Sequence, residues 1–298
     1  KILNKVVLVS ENRVPTRIIE YSQLLEQKVA THRHIAILGL GYVGLTLALV
    51  MADRGYNVTG VEINEEKAAL LKSGTSYIHE IGLPEILRER INKNFFVETE
   101  IPDYADVYII SVGTPIEKLN GSTQPKPILT YLEQSVEMIA KKLKRGDLII
   151  LRSTVPIGTS RDYVLKKIEE KTSLKCGIDF HLSFAPERTL EGKAIKELTS
   201  LPQIIGGYDQ DSVEATVAVF RELTPTTVRV ESLEAAEMCK LINNTFRDYV
   251  FAYSNQLSLI ASEFNIDAVK TIKAANEGYP RNTVPLPSPG VGGPCLTR

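Results

Sequence analysis

From His34 onward, short apolar runs alternate with longer stretches in which apolar residues recur every three to four positions. "HIAILG", "NVTGVEI", "ADVYIISVGTP", "DLIILRST", "DFHLSFAPER", "PQIIGGYD" and "TTVRV" are short and rich in β-branched residues, which predicts strands. Between them "YVGLTLALVMADRG" (closed by Gly55), "TYLEQSVEMIAKKLKRG", "TSRDYVLKKIEEKT" and "DSVEATVAVFREL" carry helical spacing. Strands separated by helices of this length predict parallel pairing. The fold class is therefore α/β, a Rossmann-like doubly wound parallel sheet. The alternation stops after Ser232. Residues 233–263 contain neither Gly nor Pro and predict one long helix, and "IDAVKTIKAANEG" predicts another before the Pro- and Gly-rich "PLPSPGVGGPCLTR". Upstream, "KVVLVS" reads as a strand and "TRIIEYSQLLEQKV" as an amphipathic helix. The predicted layout is an N-terminal extension over 1–33, a sheet domain over 34–231 and a helical domain over 232–298.

Composition narrows the classes. With 298 residues and 43% hydrophobic content the chain can bury one or two sizeable cores. A net charge of −1 argues against a nucleic-acid partner, which normally demands a basic excess. The longest apolar run, "LTLALVMA", is too short to span a bilayer. Cys176, Cys239 and Cys295 lie far apart without CxxC spacing, so neither a disulfide framework nor a zinc site is expected, and a reducing cytoplasm fits best. The histidines at 32, 34, 79 and 181 show no ligand spacing, and no metal is expected. The start has neither an initiator Met nor a signal-peptide layout, which suggests a chain that begins inside a longer product.

"GLGYVG" sets Gly39, Gly41 and Gly44 in G-x-G-x-x-G spacing, after a predicted strand and at the opening of a predicted helix. That context is what separates a dinucleotide fingerprint from three chance glycines. Gly39 permits the tight turn, Gly41 lets backbone N–H groups reach a pyrophosphate, and Gly44 allows close helix–strand packing. Glu62 ends the next strand, where its carboxylate can accept the adenosine ribose hydroxyls and repel a 2′-phosphate. The expected cofactor is NAD, and residues 34–231 are read as an NAD-binding domain.

Further candidates collect at predicted strand ends, where open α/β sheets hold their ligands. "SFAPERTLEG" carries Glu187 and Glu191, and "LRSTVPIGT" carries Ser153 and Thr154. Lys240 and Asn244, four apart on the long helix, share one face and can donate together to an oxyanion. The competing account of that pair is a solvated Lys and a helix-interior Asn. Cys239 points about 100° away from Lys240 and reads as core, as does Cys176. Cys295 sits beside Gly292, Gly293 and Pro294, a setting equally consistent with a surface loop or a reactive thiol.

"GLGYVGL", "SVGTP", "STVPIGT", "APERTLEG", "AAEMCKLINNTF" and "GVGGPC" occur in the order seen in nucleotide-sugar 6-dehydrogenases, and from about His34 to its end the chain resembles that family. The resemblance implies oxidation of a sugar C6 primary alcohol to a carboxylate with two NAD. It implies Cys295 as nucleophile, Lys240 and Asn244 as oxyanion donors, and Thr154, Glu187 and Glu191 as groups that position or activate water. It implies cofactor contacts at Gly39, Gly41, Tyr42, Val43, Gly44, Glu62, Lys67, Gly113, Thr114 and Thr154, and a homodimer through the 233–263 helix. A thiolate traps the first-formed aldehyde as a thiohemiacetal, which becomes a thioester and is then hydrolysed. Lys240 near Cys295 favours the thiolate. Val291 and Leu296 flank the cysteine loop as in the N-acetylhexosamine members (UDP-N-acetylglucosamine or UDP-N-acetylmannosamine), where UDP-glucose members more often carry Phe. The family also has a C-terminal UDP-gripping domain and an Asp four residues after the cysteine, so either this chain is a fragment or another chain completes the site. Within the family the alternative is a UDP-glucose 6-dehydrogenase; two rivals outside it are a β-hydroxyacid-type dehydrogenase, which needs no cysteine, and a non-catalytic NAD-binding or dimerisation module.

Overall fold

A computed structural model describes residues 33–117 and 126–288. The readings for 1–32 and for the Cys295 loop lie outside the described residues. In chain order the elements are β1 (His34–Leu38), α1 (Tyr42–Asp53), β2 (Asn57–Val61), α2 (Glu65–Lys72), α3 (Leu83–Arg90), β3 (Phe95–Glu98) and β4 (Val107–Ile110). A small antiparallel pair follows, β5 (Ile116–Glu117) with β6 (Lys126–Pro127), then α4 (Thr130–Ala140) and β7 (Leu148–Leu151). A π-helical segment (Thr159–Leu165) runs into α5 (Lys166–Lys171). The remainder is β8 (His181–Phe184), α6 (Ala194–Ser200), β9 (Gln203–Gly207), α7 (Gln210–Phe220), β10 (Thr227–Arg229), α8 (Leu233–Glu263) and α9 (Ala268–Asn276).

Eight strands form one sheet in the order β10-β9-β8-β7-β4-β1-β2-β3. Residues along β1, β4 and β7 are buried on both faces: Ile35 and Ile37 join one apolar layer, Ala36 and Leu38 the other. That two-sided burial is why these strands read as continuous apolar runs rather than alternating ones. Helix α1 is apolar around its whole circumference, and Gly44–Ala52 are all buried. "LTLALVMA" is therefore a core helix, and among the described residues no helix is long and apolar enough to cross a membrane.

The sheet is mostly parallel, with one reversal near its edge. β9 pairs antiparallel with β8, through Ser183–Gly207 and Phe184–Gly206, and β10 runs parallel to β9. The connection from β8 to β9 spends its length on the "APERTLEG" loop and the short α6. It does not recross the sheet, so β9 starts at the edge where β8 stops. The pattern also passed over α2, α3, β3 and α6, each of eight residues or fewer.

The first turn of helix α8 packs onto the sheet. Leu233 and Ala236 are fully buried in the core layer on one face of the sheet. The approach is so close that a Cβ on Gly206 would lie 2.1 Å from the Ser232 carbonyl oxygen and 2.8 Å from Ala236 Cβ. Farther along, Ile242, Phe246 and Tyr249 are exposed. Gly206→Ala should therefore push the start of α8 off β9, with an overpacking cost of about 1–3 kcal/mol. Thermal melting tests this. An unchanged melting temperature would mean that the contact yields freely.

Candidate active site

β1, β2, β4, β7 and β8 run parallel, so the loops after them share one rim. β1 lies between β2 and β4, and the order of connection reverses there, making the crevice beside Gly39 the switch point where such sheets bind ligands. Gly39 has φ +86°, and a Cβ on Gly44 would fall 1.9 Å from the Gly39 carbonyl oxygen. A Cβ on Gly41 would meet nothing within 4 Å. The first turn of α1 has no side-chain cap and no acidic residue. Its N–H groups therefore face an open concavity with the partial positive charge of a helix N-terminus, which suits a pyrophosphate.

Glu62 is buried at the end of β2, with its oxygens accepting the N–H groups of Leu40 (3.3 Å) and Asn64 (3.0 Å). Those bonds fix the carboxylate beside a slot lined by Gly39, Val61, Val112 and Met138. The Tyr77 hydroxyl donates to the Leu40 carbonyl at 2.6 Å, and burial together with the Glu62 charge pushes its pKa up. Lys67 stands over the Tyr77 ring at 5.4 Å on the outer rim. Thr114 donates to the Thr154 carbonyl (2.5 Å) and Ser153 to the Val112 carbonyl (2.7 Å), joining the loops after β4 and β7. Gly113 lies between the two linked positions.

The polar centre of the rim is Glu187. Its Oε2 accepts Arg152 Nη2 at 2.5 Å, and its Oε1 accepts the N–H groups of Arg188 (2.7 Å) and Thr189 (2.8 Å). Arg152, also buried, donates to the Ala185 carbonyl and to Gln203, and stacks 5.2 Å above Phe220. Burial alone would push the Glu187 pKa up. The Arg152 charge, the Thr189 N–H and Lys240 more than offset it and hold the carboxyl below its ordinary value. A carboxylate committed to three donors and made less basic is an anchor rather than a free base. Glu191, four residues on, is exposed.

Lys240 is buried on α8 and donates to the Glu187 backbone carbonyl, so the helix meets the strand-end loop at this point. Asn244 follows one turn later, half-buried. Lys240 is thus not a solvated lysine.

Two anchors were missed from sequence. Glu237, fully buried one turn before Lys240, accepts Gly158 N–H (2.5 Å), Ser160 N–H (2.7 Å) and Ser160 Oγ (2.7 Å). Burial raises its pKa more than those bonds lower it. An acidic residue inside the apolar start of a helix was the available signal. Glu80, whose partners lie far along the chain, left none. Cys176 is buried, its thiol pushed up to about 12 by burial and by Asp209 and Glu169, and Cys239 packs against the core. Both read correctly as structural.

Residues 33–224 match the model for the UDP-glucose/GDP-mannose dehydrogenase family, NAD binding domain, and residues 234–298 match its central domain. The chain belongs to this family. It is 35% identical over 268 residues to the UDP-N-acetyl-D-mannosamine dehydrogenase of Campylobacter jejuni, covering 88% of this chain and 65% of that protein. It is 33% identical over 270 residues to an NDP-N-acetyl-D-galactosaminuronic acid dehydrogenase of Ralstonia solanacearum, covering 89% and 62% respectively. The structure of the UDP-D-ManNAc dehydrogenase from Pyrococcus horikoshii aligns with a TM-score of 0.82 and 34% identity, over 88% of this chain and 62% of that one. The chain thus spans less than two-thirds of the length of these family members.

Two outcomes follow for the family's cofactor domain. Gly41→Ala should melt within about 1 kcal/mol of wild type, because its φ of −63° and open surroundings admit a methyl group. NAD affinity, measured by calorimetry, should fall at least about tenfold, or roughly 1.4 kcal/mol. Undiminished affinity would remove the pyrophosphate from this turn. Glu187→Gln strands Arg152 and should cost about 3 kcal/mol or more at neutral pH. Because the folded pKa of Glu187 is depressed, its stabilisation exists above the ordinary glutamate value near 4.3 and is lost as pH falls through the lower, folded one. Glu237, shifted upward, has the opposite slope, so the difference between wild type and variant isolates Glu187. That difference should shrink below about pH 4. A gap independent of pH would contradict the ion pair.

Proposed function

We propose that the protein oxidises the C6 primary alcohol of a UDP-N-acetylhexosamine to the carboxylate, with NAD as electron acceptor. The observation that carries this reading is the contact between Lys240 and the Glu187 carbonyl. It brings an ammonium group from the helical region to the rim that holds the dinucleotide cradle. Bound NAD supplies two-electron hydride acceptance, and the remaining chemistry is assigned to the protein's own groups.

The buried Lys240 and the half-buried Asn244 donate to the substrate oxygen as it gains negative charge, in a setting where such donors are worth more than in water. Cys295, outside the described residues, is the nucleophile that converts the aldehyde into a thiohemiacetal and then a thioester, dividing one difficult oxidation into two. Thioester hydrolysis needs a base, and the exposed Glu191 carboxylate suits that task better than Glu187, which is engaged by Arg152. Glu187 then positions Lys240, and Thr154 lines the water side.

The N-acetylhexosamine assignment is supported by the names of the Campylobacter and Ralstonia relatives and by Val291 and Leu296 beside the cysteine. UDP-N-acetylmannosamine is the preferred substrate. Self-association is proposed through α8, whose exposed Met238, Ile242, Phe246, Tyr249 and Tyr253 recur at intervals of three and four residues and form one apolar stripe. A cytoplasmic setting fits the unpaired Cys176 and Cys239.

Steady-state assay of the whole protein with UDP-N-acetylmannosamine should yield two NADH per sugar acid, and Cys295→Ala should abolish acid formation. Acid formed by that variant at the wild-type rate would take the cysteine out of the reaction. Turnover confined to UDP-N-acetylgalactosamine would move the substrate to the galactosamine configuration that the name of the Ralstonia relative carries.

A further inference from the structure

Glu80 precedes α3 and is buried, with its carboxylate held by three donors from two distant parts of the chain. Its Oε2 accepts the Tyr42 hydroxyl and the Gly192 N–H (2.7 Å), and its Oε1 accepts the Ala194 N–H (2.9 Å). Gly192 N–H also lies 3.2 Å from Tyr42 Oη. Capping of the short α6 accounts for the bond to Ala194. It does not account for Tyr42, which opens α1 between Gly41 and Gly44 of the dinucleotide fingerprint. Gly192, in turn, directly follows Glu191. One carboxylate therefore joins the cradle for the pyrophosphate to the loop that carries Glu187 and Glu191. Burial, reinforced by Glu80, pushes the Tyr42 phenol further above its ordinary pKa, so it remains a donor throughout the working range.

A pyrophosphate on the first turn of α1 restrains the backbone of Gly41, Tyr42 and Val43. The Tyr42 ring is carried with that backbone, and its hydroxyl fixes Oε2 of Glu80. The same oxygen holds Gly192. We propose that Glu80 is a positioning residue which, with Tyr42, couples occupation of the dinucleotide cradle to the placement of the 187–194 loop. The assignment deepens the proposed function and rests on reading that loop as the sugar side of the site. By linkage the effect is reciprocal: an ordered loop strengthens dinucleotide binding by the same factor.

Amide hydrogen exchange on this chain, with and without saturating NAD, tests the coupling without any turnover. In wild type, NAD should slow exchange at Gly192 and Ala194 by about tenfold, within the usual span of coupling between sites. Tyr42→Phe keeps the ring and removes one hydroxyl, so the variant should fold and melt within a few degrees of wild type; by the same linkage it should bind NAD up to about tenfold more weakly, and at saturating NAD it should lose that protection. Glu80→Gln, which retains an acceptor for Ala194, should keep part of the protection of Ala194 and lose that of Gly192. Equal protection in wild type and Tyr42→Phe would overturn the proposal, and so would NAD binding to wild type with no change at Gly192. Failure of wild type to bind NAD at all would instead defeat the cofactor assignment, and the coupling with it.

Discussion

Everything at the site depends on parallel pairing among β1, β2, β4, β7 and β8. Parallel strands must each be followed by a crossover, and their carboxyl ends therefore collect on one side. That single constraint brings Gly39, Glu62, Gly113, Thr154 and Glu187 to one rim, although they span almost 150 positions of sequence. Apolar burial on both faces holds the pairing in register, since slipping a strand by one residue would exchange its two faces. The antiparallel β9 and β10 extend the sheet beyond the rim, and through Gly206 they give α8 a backbone surface to rest on.

On that scaffold the polar groups are organised by buried carboxylates. Glu187 joins β7 to the loop after β8 through Arg152, and its backbone oxygen receives Lys240. Glu237 anchors the same turn of α8 to the segment that follows Thr154. Removing either acid leaves donors buried without partners, which is costly in a dry interior. The position of Lys240 is thus over-determined, by apolar contact of α8 with the sheet and by acids on both sides of its turn. In the role proposed for Lys240, a donor held in place before substrate arrives would need little reorganisation when charge develops.

What the sequence made legible was local. The fingerprint lies within six consecutive residues, and Glu62 stands at the end of the adjoining strand; periodicity identified α1, α7 and α8. Lys240 and Asn244 were visible because four residues make one helical turn. What escaped depends on contacts between remote segments. The Arg152–Glu187 pair spans 35 positions and the Tyr42–Glu80 bond 38, and nothing in either neighbourhood names its partner. The reversal at β9 escaped for a related reason, because a short helix between two strands looks like a crossover whether or not it recrosses the sheet. Glu187 stood out from its place at a strand end, but its partner Arg152 did not.

The central claim is that the crevice at β1, β2 and β4 is an NAD site whose selectivity comes from Glu62. Calorimetric titration of this chain with NAD and with NADP tests it most directly, because it requires neither substrate nor turnover. Glu62 is buried, fixed by Leu40 and Asn64, and placed where a 2′-phosphate would bring like charge against it. NAD should bind at least roughly tenfold more tightly than NADP, a difference of about 1.4 kcal/mol. Equal affinities, or tighter binding of NADP, would contradict the account.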